Sequence, residues 1–237
     1  MEYLKFILYG IIQGLTEFIP VSSTAHLKVL SLFFGFDDLG PSLSAIIQLG
    51  SVLALFFYFR KDIFKLKSQF SKKKFLYLRQ QRLLWSIFIG TIPIILLGGT
   101  IKLFVPYFFD KVLRSNLSIA LVSFFMAIFM YIADRSKKSS INLENHNFSD
   151  SFLIGLSQAF AIFPGVSRSG VTISTALVSG WERGDAAKFS FLLGIPAISF
   201  AGIAEFISSF NEFSSYSLSP LFFGLSTTFL SSLFAID

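Results

Sequence analysis

Two short segments carry residue types that bind and transfer phosphate groups. One reads QGLTEFIPVSSTAH over Gln13–His26, and the other reads QAFAIFPGVSRSG over Gln158–Gly170. Each contains a proline followed closely by serines, and each lies within otherwise apolar sequence. Polar residues in such surroundings usually serve a function. Together the two segments predict one site that handles phosphate.

The serine-rich step after each proline predicts the N-terminal turn of a half-helix. These turns are Ser22-Ser23-Thr24, after Pro20, and Ser167-Arg168-Ser169, after Pro164. Free backbone N–H groups, hydroxyls and the positive end of the helix dipole favour an anion at such a turn. Arg168 adds a planar, permanently charged fork that suits two phosphate oxygens. The predicted ligand is a diphosphate.

A nucleophile and a base are also suggested by spacing. In a helix that starts near Ser22, the side chains of Ser23 and His26 are i, i+3 neighbours, so a hydroxyl and an imidazole share one face. Gln13 and Glu17 are i, i+4 neighbours just before the break. We expect Glu17 to position His26 or to hold a cation.

Each of these residues also has a structural reading. A lone histidine on an apolar helix is more often a hydrogen-bonded core residue, and Glu17 with Arg168 could form an intramembrane ion pair. The combination of His, Glu, Arg and clustered Ser at two similar breaks favours phosphoryl transfer.

Composition indicates where these segments lie. The chain is 53% hydrophobic and only 14% charged, with a mean hydropathy of +0.68, which is typical of an integral membrane protein. It contains no cysteine, so disulfides and thiolate metal sites are excluded. Nine of its twenty basic residues fall within 60–82. The net charge of +6 therefore reflects one basic loop, which indicates membrane topology, and no nucleic-acid partner is expected.

Seven apolar runs predict the helices. A helix needs about 20 residues to cross the bilayer. Five runs are uninterrupted: 42–59, 83–105, 113–133, 187–207 and 220–236. Runs 3–36 and 151–180 are broken at their prolines. The predicted fold is all-α and polytopic, with two re-entrant, proline-broken helix pairs whose freed backbone groups face protein or a watery cavity.

The basic loop sets the predicted orientation. The positive-inside rule places loop 60–82 in the cytoplasm. The next two predicted helices cross the membrane outward and back, so Arg135, Lys137 and Lys138 also lie on the cytoplasmic side. Loop Ser208–Pro220 carries no Lys or Arg and is predicted to be external. The first broken run then opens to the external face. His146 is predicted to be a solvated loop residue.

Matched residues suggest an internal duplication. The spacing is 145 for Gly10/Gly155, Gln13/Gln158 and Ser22/Ser167, and 144 for Pro20/Pro164 and Gly50/Gly194. We predict a single membrane domain over 1–237, with an inverted repeat whose copies span about 1–105 and 113–237. Chance similarity between two apolar helices is the alternative.

Over essentially its whole length the sequence resembles the bacterial undecaprenyl-diphosphatase family, also known as bacitracin-resistance proteins. Four segments carry the resemblance: Gln13–His26, Ile47–Gly50, Gly90–Pro93 and Phe163–Gly170. The family's site elements match this chain closely. They are Glu/Gln-x-x-x-Glu at Gln13/Glu17, Ser-Ser-x-x-His at Ser22/Ser23/His26, and Pro-Gly-x-Ser-Arg-Ser-Gly at Pro164–Gly170.

The resemblance implies hydrolysis of undecaprenyl diphosphate to undecaprenyl phosphate and inorganic phosphate, which recycles the carrier lipid for peptidoglycan synthesis. It further implies a bacterial inner-membrane protein with a site open to the external face, a role in cell-wall biogenesis and cell shape, and bacitracin resistance. The resemblance also implies a requirement for a divalent cation, magnesium or calcium. Gln13 stands where many members have glutamate, so we expect the cation between Glu17 and the diphosphate.

The predicted site follows from these motifs. The catalytic residues are Ser23, His26, Glu17 and Arg168, with Glu17 also the metal ligand. The substrate-binding residues are Gln13, Ser22, Thr24, Gly165, Ser167, Ser169 and Gly170. Attack by Ser23 is the favoured mechanism, and attack by His26 or by an activated water stays open.

Two other functions would use some of the same residues. A polyprenyl-phosphate carrier or flippase could use the same anion-binding turns, but it has no need of Ser23 beside His26. A type-2 phosphatidic acid phosphatase requires a second histidine, and Ser169–Ser179 contains none. Expected partners are a long-chain polyprenyl diphosphate lipid and the bilayer, with a homodimer left open. Relatives continue with another helix beyond the position of Asp237, so a C-terminal helix is expected to be missing.

Overall fold

The computed structural model describes residues 2–64, 79–104, 112–136, 140–208 and 218–237. Its main helices are α1 (Glu2–Phe18), α2 (Ser23–Phe34), α3 (Gly40–Tyr58), α4 (Arg79–Phe104), α5 (Asn116–Asp134), α6 (Phe148–Ala159), α7 (Arg168–Val178), α8 (Arg183–Ser208) and α9 (Leu218–Ile236). Most of the predicted basic loop, Lys137, Lys138 and residues 209–217 of the predicted external loop lie outside the described residues.

Five helices confirm the predicted membrane spans. These are α3, α5, α8 and α9 in full and α4 over Arg82–Ile101, each long and apolar enough to cross a bilayer. Helix α5 exposes large apolar side chains such as Phe124, Phe125 and Ile132. Continuous apolar surface of this kind is stable against lipid and costly against water. The chain is therefore a multi-pass, all-α membrane protein.

Both predicted helix breaks are present. Helix α1 ends at Phe18 and α2 begins at Ser23, with Pro20 between them. Helix α6 ends at Ala159, a short 3₁₀ turn follows over Phe160–Ile162, and α7 begins at Arg168. Proline has no backbone N–H to continue a helix, and the serine that follows each proline provides a new cap.

Contacts divide the described chain into two compact units. The first unit comprises Met1–Tyr58 and Ile195–Asp237, and the second comprises Phe59–Gly194. These boundaries do not test the sequence duplication, so the predicted inverted repeat and the single membrane domain stay predictions.

In the first unit, α1 packs closely along α9. A Cβ added at Gly14 would lie 2.5 Å from the carbonyl oxygen of Thr228, and Ser232 Oγ lies 2.9 Å from Ser51 Oγ of α3. Small residues allow such close approach of membrane helices, and hydroxyls link them. The buried apolar core of this unit is formed by Phe6, Tyr9, Leu27, Leu30, Leu39, Leu43, Ile46 and Ile47.

In the second unit, α6 crosses α4 at two glycines and pairs with α7. A Cβ added at Gly155 would lie 2.6 Å from the carbonyl carbon of Gly90. The contact is therefore backbone to backbone, and neither helix can move a side chain aside. The apolar core here is formed by Leu143, Ile154, Ala176, Trp181, Ala186, Phe189 and Leu193.

Replacing Gly155 by alanine is expected to destabilise the protein by about 1–3 kcal/mol, the usual cost of overpacking. The control is Gly99→Ala in α4, where an added Cβ would have no neighbour within 4 Å. Thermal unfolding in detergent measures both variants. Equal unfolding temperatures for Gly155→Ala and Gly99→Ala would show that the helix crossing is looser than described.

The prediction that His146 is a solvated loop residue is wrong. Its side chain is 1% exposed, and its Nε2 and Nδ1 atoms lie 2.9 Å from Ser86 Oγ and 3.1 Å from the Leu143 carbonyl oxygen. The loop folds back onto the residues that precede α8, where Glu182 donates its backbone N–H to the Ile141 carbonyl at 2.8 Å. The imidazole lies beside the ring of Trp181, with 5.3 Å between the centroids and an angle of 44° between the ring planes.

Burial lowers the pKa of His146, and the nearby Arg82 charge adds to this effect despite Asp150. In the unfolded chain this imidazole binds a proton near pH 6.5, whereas in the folded protein it stays neutral at that pH. Stability therefore falls as the pH drops below that value. We expect wild type to lose up to about 1.4 kcal/mol per pH unit there.

The variant His146→Gln should show a weaker loss of stability between pH 7 and pH 5. His26→Gln is the matched control, because the chain has two histidines and His26 is exposed. Unfolding temperatures across this pH range test the assignment. An unchanged pH dependence in His146→Gln would contradict it.

Candidate active site

The end of α1 holds a buried carboxamide and carboxylate. Gln13 and Glu17 are 2% and 5% exposed, and Gln13 Nε2 donates to Glu17 Oε2 at 2.7 Å. The predicted i, i+4 pairing is confirmed. A buried carboxylate in a membrane protein needs such partners, and it is functional by default.

Ser22 caps α2 in an unusual backbone conformation. Its Oγ accepts from the backbone N–H of Ala25 at 3.4 Å, and its φ and ψ are 65° and 96°. Among the described residues, Ser22 is the one non-glycine with positive φ. Conformations of this kind cost about 1–3 kcal/mol and cluster at active sites. Thr24 follows, half-buried, in the first turn of the helix.

Ser23 joins the two sides of this break. Its hydroxyl donates to Glu17 Oε2 at 3.2 Å, across a sequence separation of six residues. Glu17 therefore accepts from both Gln13 and Ser23. A serine hydroxyl bonded to a carboxylate is the arrangement of a nucleophile and a general base.

His26 is exposed and is oriented by the backbone. Its Nδ1 lies 3.0 Å from the Ser22 carbonyl oxygen. A carbonyl oxygen only accepts, so Nδ1 carries the hydrogen and the lone pair of the neutral ring is on Nε2. In the part of the chain that the structure describes, no hydrogen bond joins Ser23 to His26. Their predicted pairing stays a prediction.

The second motif forms the N-terminal turn of α7, as predicted. Gly165 has a φ of 100°, and its carbonyl accepts from Ser123 Oγ at 3.2 Å. Ser167 is the cap residue: its Oγ accepts from the backbone N–H of Gly170 at 3.1 Å and lies 3.3 Å from Ser169 Oγ. Both hydroxyls are buried at the start of the helix.

Arg168 is held by α8. Its Nη1 donates to the Ser190 carbonyl oxygen at 3.1 Å, and Ser190 Oγ lies 2.6 Å from Thr172 Oγ1. The sequence prediction missed Ser190, which lies on a different helix from the motif, and Thr172, although the i, i+4 spacing of Thr172 from Arg168 could have marked it. Gly194 adjoins the guanidinium, and one sequence feature pointed to it, namely its match to Gly50 in the predicted repeat.

Gln158 is the counterpart of Gln13 in the second motif. It is fully buried, and within the described structure neither atom of its amide has a hydrogen-bond partner. Gln13 has Glu17 four residues later, whereas Gln158 has Ile162. A buried amide of this kind commonly binds a water or a ligand.

The described residues near the first break do not by themselves form a complete cation site. The described residues contain no group of three or more His, Cys, Asp or Glu placed to hold a metal ion. The oxygen donors near the first break are the Glu17 carboxylate, the Gln13 carbonyl and the Ser23 hydroxyl. Magnesium is often bound by one or two carboxylates together with phosphates, so this set fits a cation shared with a diphosphate.

The two motifs belong to different compact units: the Gln13–His26 residues lie in the first and the Pro164–Gly170 residues in the second. Each unit brings its own motif residues together. That both motifs serve one diphosphate stays a prediction from the sequence.

Comparison with known proteins decides the family. The family model described as "Bacitracin resistance protein BacA" matches residues 6–237. The chain belongs to the BacA family. The predicted resemblance is thereby confirmed over nearly the whole chain.

Individual relatives agree with this membership. A protein of Prochlorococcus marinus (strain MIT 9312) named "Undecaprenyl-diphosphatase" is 81% identical, over 99% of this chain and 88% of its own length. A protein of the same name from strain MIT 9301 is 76% identical over 100% of the chain and 89% of its length. A more distant one, from strain NATL2A, is 45% identical over 98% of the chain and 85% of its length.

Proposed function

We propose that this BacA-family protein removes the terminal phosphate of undecaprenyl diphosphate, releasing undecaprenyl phosphate and inorganic phosphate. The observation that carries the proposal is the hydrogen-bonded chain Gln13–Glu17–Ser23 at a helix break, in which Gln13 and Glu17 are buried. It supplies a nucleophile and a base in a membrane protein whose relatives are named for this hydrolysis. The product lipid is the carrier used in peptidoglycan synthesis, which accounts for roles in the cell wall and in bacitracin resistance.

In the proposed reaction, Ser23 Oγ attacks the terminal phosphorus in line with the bridging oxygen. The bond from that phosphorus to the bridging oxygen breaks, and undecaprenyl phosphate leaves. The Ser23 proton passes to Glu17, which already accepts its hydrogen bond, or to Nε2 of His26. The base passes that proton to the departing undecaprenyl phosphate. Water then attacks the phosphoserine, and the base takes one proton from the water and returns it to Ser23 Oγ as the bond from Oγ to phosphorus breaks, which releases inorganic phosphate. Direct attack by His26 or by water is the alternative.

We assign the binding of the diphosphate anion to Arg168 and the two helix N-terminal turns. The guanidinium can donate to two phosphate oxygens, and the turn at Ser167 offers backbone N–H groups and hydroxyls. Groups of this type stabilise the charge that spreads over the transferring phosphoryl oxygens. The turn at Ser22–Thr24 has the same elements beside the proposed nucleophile.

A divalent cation, magnesium or calcium, would be held by Glu17, with the Gln13 carbonyl and Ser23 hydroxyl as further oxygen donors. When bound, it would neutralise part of the negative charge of the diphosphate. The protein supplies few charged ligands, so we expect the cation to bind weakly without substrate.

The carrier alternative lacks support. The relatives quoted above bear the name of a hydrolase, and the Ser23–Glu17 hydrogen bond provides a chemical step that transport does not need.

Phosphate release in detergent tests the proposed function. The purified protein should release one inorganic phosphate for each undecaprenyl phosphate formed, and EDTA should suppress the reaction. Ser23→Ala should be strongly impaired, whereas Ser31→Ala, a buried serine of the same helix that bonds Tyr9, should stay active. Recovery of intact diphosphate lipid from folded wild-type protein would overturn the proposal.

We place the protein in the bacterial inner membrane, as its family membership implies. The basic loop 60–82 supports an orientation in which the first motif opens to the external face. Because the chain has no cysteine, single cysteines at exposed Asp37 and Glu144 report on the two sides. In spheroplasts a membrane-impermeant maleimide should label Asp37→Cys at once and Glu144→Cys only after permeabilisation. The reverse pattern would overturn the orientation.

A further inference from the structure

Gly194 of α8 adjoins the charged group of Arg168 directly. A Cβ added at Gly194 would lie 2.6 Å from Arg168 Cζ and 3.0 Å from Nη2. Both distances are shorter than ordinary van der Waals contact. The guanidinium therefore occupies the space that any side chain at this position would take.

Hydrogen bonds fix the same arrangement from two helices. One turn before Gly194, the Ser190 carbonyl accepts from Arg168 Nη1 at 3.1 Å. The Ser190 hydroxyl lies 2.6 Å from Thr172 Oγ1, which also donates to the Arg168 carbonyl at 2.8 Å. Ser190 and Thr172 are fully buried. Within this unit, α7 and α8 thus share a polar contact that ends at the guanidinium.

We propose that Gly194 is a positioning residue for Arg168, because its missing side chain determines where the guanidinium lies beside the N-terminal turn of α7. Gly194 contributes no group to the reaction and acts only through Arg168. The inference rests on the proposed function, in which Arg168 binds the phosphoryl group that is transferred.

A methyl group at Gly194 would displace the guanidinium by an amount on the order of 1 Å, and a misplacement of that size can cost about 100-fold in rate. The affected interaction is assigned to the transition state, so kcat should fall more than KM rises. For Gly194→Ala we expect kcat to fall about 10- to 100-fold.

The control is Gly202→Ala on the same helix. There an added Cβ would meet the Leu49 side chain, at 2.5 Å from Cδ2, and that side chain can rotate away. Gly202→Ala therefore reports the cost of a methyl group in α8 without a charged neighbour, and its kcat should stay within about twofold of wild type.

A double-mutant cycle in the phosphate-release assay tests the inference. Wild type, Gly194→Ala, Arg168→Ala and the double variant are compared, with enzyme concentrations raised to keep slow rates measurable. If Gly194 acts only through Arg168, Gly194→Ala should cost less than about twofold once Arg168 is alanine. The inference would be overturned if the loss of rate in the double variant equalled the product of the two single losses. It would also be overturned if Gly194→Ala had the same rate as Gly202→Ala.

Stability gives a second test that does not depend on activity. Removing the guanidinium clears the space at Gly194, so the double variant should regain the unfolding temperature that Gly194→Ala loses. This outcome is expected even if Gly194→Ala alone fails to fold. A double variant no more stable than Gly194→Ala would show that Gly194 and the guanidinium are not in contact. An inactive wild type would count against the proposed function alone.

Discussion

Replacing Arg168 by alanine is expected to lower kcat for phosphate release by about a thousand-fold or more. The guanidinium carries a permanent charge, and its two terminal nitrogens match two phosphate oxygens. The Ser190 carbonyl and Gly194 also hold it in place, so the guanidinium needs little reorientation during the reaction. Arg168→Lys should recover only part of the loss, because an ammonium lacks the planar fork. Initial rates at saturating lipid measure both variants.

Arg183 provides the matched control for this loss. It is an exposed arginine at the start of α8, and it pairs with Asp134. We expect Arg183→Ala to keep nearly full activity, because surface ion pairs contribute little to stability. An Arg168→Ala variant that retains more than about a tenth of the wild-type rate would contradict the role assigned to the guanidinium.

Replacing Glu17 by glutamine is expected to lower kcat by about 100- to 1,000-fold. The substitution preserves size but removes the charge, so the side chain can neither take the Ser23 proton nor attract a cation. The Gln13 amide, which donates to Glu17 Oε2 at 2.7 Å, can still donate to the new amide oxygen. The loss should therefore appear in activity more than in unfolding temperature. Rates measured over a magnesium titration separate a weakened cation site from a lost base.

Glu205→Gln is the control for Glu17→Gln. Glu205 is also a carboxylate that accepts from a serine hydroxyl, with Ser42 Oγ at 3.0 Å from its Oε1, but it lies outside both motifs. We expect this variant to keep its activity. Near wild-type rates in Glu17→Gln at every magnesium concentration would show that Glu17 is neither base nor cation ligand.

Much of the fold could be predicted because its signals are local. The lengths of the apolar runs predict α3, α4, α5, α8 and α9, since hydrocarbon thickness sets the length of a spanning helix. Pro20 and Pro164 mark the breaks because a proline cannot donate the backbone hydrogen bond that would continue a helix, although Pro93 and Pro196 are accommodated inside α4 and α8. Ser22 and Ser167 were predicted within the first turns of the new helices because serine oxygens accept from free N–H groups there.

The contacts across elements could not be predicted in the same way. The Ser23–Glu17 hydrogen bond crosses the break, where Ser22 has positive φ and helical spacing no longer applies. His146 looked solvated because its neighbours in sequence are polar, yet Trp181, far along the chain, covers it. The contact of Arg168 with Gly194 depends on how two helices pack, which spacing within one helix does not encode.

The most direct test of the proposed function is phosphate release from undecaprenyl diphosphate by wild type, Glu17→Gln, Arg168→Ala and their double variant. One substitution comes from each motif, and all four proteins are first shown to be folded by thermal unfolding. We expect wild type to form undecaprenyl phosphate and phosphate in equal amounts. Each single variant should lose at least about 100-fold, and the double variant should be little worse than the slower single, as residues of one catalytic unit behave. Wild-type activity in either single variant would contradict the claim that both motifs act on the same diphosphate.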